Sequence, residues 1–399
     1  MTDPIQKQLV ELTTQLIDER SITPDAADCF DILSKLCQQH GLICQRFDRH
    51  ATQNLLISTS SSKQVDLLLS GHVDVVPPGD ITKWRFDPFQ AIIDQSTLYG
   101  RGAVDMKSSV AAMVLAVIAN REQCHRASLS VAILLTSDEE GDAIDGTQYV
   151  MSTLDVMGYR FRHALVGEPT SVDHVGDTVK IGRRGSLTGQ ITVLGQQSHV
   201  AYASQDINPL FAISQFIHEA RLTQWDLGCA HFNATQFCVV SAHSDCVATN
   251  VTPREATCVV NFRYSPASSH RTLRMQVNTL LRRTGMEYHV QWSRPNLPFL
   301  SQRGMLSKLI ATSIDKTCQI KPILSTSGGT SDARYIAQYV DEIIEFGPRN
   351  HTAHQIDEHI SLSDLEKLYR IYQSFIDDYS QQVAPVMMPP KHTRVAADK

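Results

Sequence analysis

Carboxylates and histidines recur where apolar runs of this 399-residue chain end. "LLLSGHVD" closes on His72 and Asp74, "LYGRGAVDMK" carries Asp105, "ILLTSDEEG" carries Glu139 and Glu140, and "ALVGEPT" carries Glu168. Late in the chain, "GPRNHTAHQIDE" adds His351 and His354. Two imidazoles with several carboxylates suit zinc. His72, Asp105, Glu140, Glu168 and one late histidine make five ligands for two ions, if one carboxylate bridges. A pair of zinc ions about 3.5–4 Å apart can polarise a carbonyl and activate a water. Two dications would also relieve the repulsion among Asp138, Glu139 and Glu140, which a site for one zinc would leave uncompensated. His72 and Asp74 are two apart and face the same way if strand geometry persists. An aspartate there can accept the second ring N–H of a metal-bound histidine. Alone, the pair would read more readily as a polar surface loop.

These residues need rigid elements behind them. Residues 4–20 and 25–39 read as helices, the first amphipathic. "VDLLL" (65–69), "LSVAILL" (129–135) and "HALV" (163–166) read as buried strands. "KSSVAAMVLAVIAN" (107–120) reads as a helix apolar nearly all round, hence buried. Strands alternating with helices predict an α/β sheet with helices on both faces. In such sheets, sites form outside the carboxyl ends of strands.

The pattern changes near residue 183. Strand, helix (207–221), strand (235–241), strand (255–263), helix (269–284) and strand (287–292) follow, a β-α-β-β-α-β unit of about 110 residues. Strand 255–263 alternates as if one face were wet. After residue 297 the α/β character resumes, with a helix near 303–315, the strand "DEIIEF" (341–346) and a last helix opened by a capping box at Ser363–Glu366. The expected organisation is a catalytic domain in two parts (1–182 and 297–380), an inserted domain (183–296), and a Pro-rich disordered tail (381–399).

Composition narrows the function classes. Hydrophobic residues make up 42% and charged residues 20% of the chain, which fits a globular protein. With a net charge of −6 and no long basic run, nucleic acid and anionic membranes are poor partners. No apolar run spans a bilayer and no signal-peptide plan opens the chain. Nine cysteines without a CxxC pair read as reduced cytosolic thiols, mostly in the core.

Taken in order, "SGHVDVVPPGD", "GRGAVDMK", "TSDEEG" and "VGEPT" resemble the signature of the co-catalytic di-zinc family of aminoacylases, acetylornithine deacetylases, glutamate-type carboxypeptidases and succinyl-diaminopimelate desuccinylases. The likeness runs from the first helix to about residue 380. "KIGRRGSLTG", "SHVAYA", "NFRYS", "TSGGTSDAR" and "FGPRN" resemble its bacterial desuccinylase branch most. The resemblance implies a zinc-peptidase-like α/β domain with an inserted ferredoxin-like dimerisation domain, a cytoplasmic homodimer, and two zinc ions per subunit that cobalt or manganese can replace. It implies His72 and Glu168 on one ion, Glu140 and His354 on the other, and Asp105 between them. His354 is chosen over His351 because "NHTAH" aligns with a family motif ending in histidine; spacing alone does not decide.

The same resemblance implies Asp74 supporting His72, Glu139 as general base, and His199 stabilising the oxyanion in the partner subunit's site. Arg183, Ser186, Tyr202, Asn250, Arg263, Thr330 and Asn350 would contact substrate. Arginine independently suits the planar carboxylate of a succinyl group. The implied reaction is hydrolysis of N-succinyl-LL-2,6-diaminopimelate in lysine and diaminopimelate biosynthesis. Acetylornithine deacetylase or dipeptidase chemistry is the alternative within the family, and a non-catalytic zinc-binding interaction protein the alternative outside it. The chain departs from the family pattern in "ATNVTP", where Thr249 replaces the first of two asparagines, and in Ser198 before His199. Thr249 lacks the paired donor and acceptor of an amide, which bears on substrate detail more than on zinc.

Overall fold

The computed structural model describes residues 4–244, 246–301 and 304–383. Its helices are α1 (Pro4–Asp18), α2 (Cys29–Gln39), α3 (Lys107–Arg126), α4 (Thr147–Val156), α5 (Pro209–Leu222), α6 (His270–Arg282), α7 (Met305–Cys318), α8 (Ala333–Ile336) and α9 (Leu362–Gln382). The chain divides into two compact units: Gly182–Leu300 with Thr326–Thr330, and the remainder.

The larger unit is built on an eight-stranded mixed sheet. Its order is 43–46, 54–58, 131–136, 64–72, 160–166, 342–345, 178–180, 323–325. The four strands from 131–136 to 342–345 run parallel, so their carboxyl ends emerge on one edge. The strands 64–72, 131–136 and 160–166 are largely apolar and buried, as expected for strands covered on both faces. The strand expected at 65–69 extends over Gln64–His72, which makes His72 its last residue. α3 is buried along most of its length and packs against α1 and α9. Leu16, Leu69, Val114, Leu135, Leu368 and Phe375 belong to this unit's single core.

A smaller sheet pairs 359–361 with 97–99 and 97–99 with 92–94. It ties the loop before Asp105 to the segment after His354. Sequence periodicity missed these three-residue strands, which are too short to show a period. It also missed α4, whose first residues follow the acidic turn.

The smaller unit carries a four-stranded antiparallel sheet in the order 236–244, 255–264, 185–194, 288–292. With α5 and α6 interleaved, this is the split β-α-β-β-α-β arrangement. Strand 255–264 alternates buried and less buried residues. Its inward residues join Leu187, Ile191, Phe216, Trp225 and Leu273 in a second, separate core. Phe299–Leu300 pairs with Gly182–Arg183 as a two-stranded ribbon.

Three expectations are corrected. Ser361, not Ser363, caps α9: its side chain accepts from the Asp364 amide at 3.1 Å, while Ser363 is already inside the helix. Helix continues through Gln382 and Val383 is buried in the core, so the expected tail cannot begin at 381; residues 384–399 lie outside the described residues. Only Cys29, Cys37, Cys124 and Cys258 are fully buried, while Cys229 and Cys238 are exposed, so "mostly core" overstates their burial. All nine thiols are free. Among the described residues, no helix is long and apolar enough to cross a membrane.

Candidate metal centre

The parallel strands deliver the site at their carboxyl ends. His72 ends one strand, Glu139 and Glu140 follow Thr136 on its neighbour, and Glu168 follows Val166 on the next. Asp105 stands just before α3. Side-chain-free positions let α3 approach this edge. A Cβ on Gly71 would lie 2.5 Å from Met106 Cε, and one on Gly167 would lie 2.6 Å from the same atom. The start of α3 therefore seats between the two strand ends, which sets Asp105 beside His72.

Asp105 is the centre of the arrangement. Its Oδ1 lies 3.2 Å from His72 Nε2 and its Oδ2 lies 3.2 Å from His354 Nε2. His354 Nε2 is also 2.7 Å from Glu140 Oε1, and His72 Nε2 is 3.9 Å from Glu168 Oε1. Ligand atoms of His72, Asp105 and Glu140 lie within 4.8 Å of one another, as do those of His72, Glu139 and Glu168. The five residues named as ligands from the sequence are thus brought together, with each aspartate oxygen facing one imidazole. His351, the other late histidine, packs its ring on His359, at 5.4 Å between centroids. His354 has φ 62°, a left-handed conformation unusual for histidine, as functional positions often show.

The acidic turn resolves into three roles by geometry. Asp138 folds back and accepts from the amides of Ala143, Ile144 and Asp145 at 3.0–3.2 Å. Glu140 turns to His354. Glu139 stands beside His72 and Glu168. Asp74 differs from expectation. His72 Nδ1 bonds the Asp74 backbone carbonyl at 2.8 Å, whereas the carboxylate stands 3.6 Å away. That carboxylate instead accepts from the Glu140 amide at 3.0 Å and more distantly from Glu139. Asp74 thereby fixes both the histidine tautomer and the turn carrying the two glutamates.

Charge crowding marks the cluster. Burial, with the Glu168 and Asp332 carboxylates nearby, drives the Glu139 carboxyl well above its usual range. Burial lifts Asp74 to about 6. Hydrogen bonds to Asp105 and Glu140 raise His354 to about 10. Burial opposes the charge on His72, but Asp105, Asp74 and Glu139 outweigh it and raise its pKa. Burial opposes ionisation of Asp105 as well, yet the two histidines hold it below the usual carboxylate range. Four carboxylates gathered on two imidazoles are a donor set matched to divalent cations.

Sequence reasoning passed over Asp332 and Glu358. Asp332 is buried near Glu139, with the Arg334 guanidinium 3.9 Å away. Glu358 holds the loop leading to Asp105. Both lie inside quoted motifs, "TSGGTSDAR" and "HQIDE", but burial rather than residue type identifies them.

The remaining candidates sit as follows. In the smaller unit, Ser186 is the cross-strand partner of Arg263, and Arg183 donates to the Gly329 carbonyl at 3.3 Å, next to Thr330. Burial and the Arg184 charge lower the Arg263 pKa. His199 is exposed, pairs with Val251 and accepts from the Ala201 amide, while the Tyr202 ring lies 5.6 Å from its own. The Asn250 carbonyl accepts from Val200. In the larger unit, exposed Asn350 donates its amide to Ser171 O at 3.0 Å.

Fold and site together define a class: an α/β scaffold presenting a cluster of carboxylates and imidazoles suited to divalent ions. A sequence profile of peptidase family M20/M25/M40 matches residues 68–378, and the chain belongs to that family. The succinyl-diaminopimelate desuccinylase of Alkalilimnicola ehrlichii is 42% identical over 369 residues, covering 92% of this chain and 98% of that protein. The protein of the same name from Nitrosomonas europaea is 40% identical, with 92% and 97% covered. The M20 metallo-carboxypeptidase Sso-CP2 of Sulfolobus solfataricus shares the fold with a TM-score of 0.76 at 15% identity, covering 95% of this chain and 100% of that one. YXEP of Bacillus subtilis, described as a dinuclear metal binding peptidase, shares it at 0.70 and 11%, with 95% and 99% covered.

Proposed function

We propose that this chain is a metal-dependent amidohydrolase that cleaves N-succinyl-LL-2,6-diaminopimelate to succinate and LL-2,6-diaminopimelate. The observation that carries the reading is Asp105 facing both His72 and His354 while Glu139 stands beside the cluster. The desuccinylase relatives, alike over nearly the whole chain, supply the substrate.

Two zinc ions would be held by His72 and Glu168 on one side and Glu140 and His354 on the other, with Asp105 shared; cobalt or manganese can replace them. Bound there, such ions supply Lewis-acid polarisation of the amide carbonyl and acidify water. Glu139 takes the proton of the attacking water and returns it to the departing amine nitrogen. Asp74 keeps His72 and the Glu139–Glu140 turn in register. His199 donates to the oxyanion, working in the partner's site of a homodimer formed through the smaller unit. Arg183 and Arg263 bind the substrate carboxylates, with Ser186, Tyr202, Asn250, Thr330 and Asn350 completing the contacts. The enzyme would work in the cytoplasm, where diaminopimelate is made for lysine and cell wall.

The test is a panel assay of zinc-loaded protein on succinyl-diaminopimelate, acetylornithine and dipeptides. The expected kcat/KM favours the first by roughly 100-fold or more, because acetylornithine and dipeptides lack the succinyl carboxylate that the arginines would bind. Preference for acetylornithine or a dipeptide would overturn the substrate.

A further inference from the structure

Glu358 is fully buried, yet no step of the proposed chemistry uses it. Its two oxygens take four donors from one short loop. Oε2 accepts from Arg101 Nη1 at 2.7 Å and from the Gly102 amide at 3.1 Å. Oε1 accepts from the amides of Val104 at 2.8 Å and Asp105 at 3.0 Å. Its own carbonyl accepts from the Gly100 amide at 3.0 Å, continuing the ladder that pairs His359 with Tyr99. Loop 100–105 is thus wrapped around one carboxylate. Gly102 sits at φ +86°, where a Cβ would press on Val75 and Lys107 at 2.8 and 2.9 Å. A side chain at residue 102 would therefore disturb this path of the loop to Asp105.

Glu358 also lies four residues after His354, in the same turn-rich segment. One carboxylate therefore joins the backbone of Asp105 to the strand that follows His354. We infer that Glu358 is a positioning residue for the metal centre: it fixes the Asp105 backbone so that each carboxylate oxygen is aimed at one of the two histidines. It touches neither substrate nor ion. Partners behind ligands commonly matter 10–100-fold for metal affinity. A purely structural carboxylate would affect folding alone; this one sets how tightly the paired ions bind. The inference rests on Asp105 being their shared ligand.

The experiment titrates zinc into metal-free full-length protein by calorimetry and records the absorption bands of the cobalt-loaded form. In Glu358→Gln an NH2 group confronts backbone N–H groups that need an acceptor. In Glu358→Asp the charge stays opposite Arg101, but the shorter chain cannot reach all three amides. Both variants are expected to bind at least one ion 10–100-fold more weakly and to shift the cobalt bands, with KM for the amide substrate nearly unchanged. A folded variant with wild-type zinc affinity would overturn the clamp. Asp105→Asn separates the two readings. If it weakens binding while the Glu358 variants do not, the clamp alone falls; if it binds zinc normally, Asp105 is no ligand and both fall. Should neither Glu358 variant fold, hydrogen exchange on metal-free wild type decides. The Val104 and Asp105 amides are expected to be protected, and rapid exchange there rejects the clamp.

Discussion

Asp138, Glu139 and Glu140 are neighbours in sequence but turn to three different partners. Asp138 organises the following loop through three amides, Glu140 meets His354, and Glu139 stays beside His72 and Glu168. Separate roles predict separate defects. Glu139→Gln should retain two ions per chain by metal analysis but lose about 10²–10⁴-fold in kcat, since only the proton carrier is gone. Glu140→Ala should instead lower the metal content; full stoichiometry would remove its ligand role. At this scale much of the candidate site was legible, because ligand chemistry restricts residue types and His72, Glu140 and Glu168 stand at or just after the ends of apolar strands. Side-chain direction was not. The sequence could not show that Asp74 supports His72 through its backbone carbonyl, nor that Glu358 holds the Asp105 loop, because both facts depend on where buried backbone amides point.

Long periodic elements were also legible in the sequence. α3, the apolar parallel strands and the β-α-β-β-α-β unit each bury a face or a whole surface, and burial leaves a hydrophobic period. The ends of elements were less so. "SDLE" at 363–366 has the capping-box spelling, but a serine two residues earlier reaches the free amides first. Ser361→Ala should therefore cost about 1 kcal/mol in denaturant-induced unfolding, and Ser363→Ala only a few tenths. Equal effects would show that the cap is misplaced. The three-residue strands of the small sheet were invisible for want of length, although they tie the Asp105 loop to the late segment.

At the scale of the whole molecule, the described residues form two hydrophobic cores that share no residue. Calorimetry should resolve two unfolding transitions, one for each unit. All the proposed ligands belong to the larger unit, so a chelator should lower only its transition, by about 4 kcal/mol of stabilisation if metal is present at 1,000 times its dissociation constant. A shift of both transitions would show that the smaller unit also draws stability from the ions.

The contact between Glu140 and His354 spans 214 residues of chain, and the entire smaller unit lies within that interval. On the ribosome the second histidine is therefore made after the other four proposed ligands and after a complete second core. A nascent chain carries the acidic cluster without its closing imidazole until residue 354 has been added. A chain stopped short of His354 also lacks α9, whose Leu368 and Phe375 belong to the larger unit's core, so it misses part of the scaffold together with the closing imidazole.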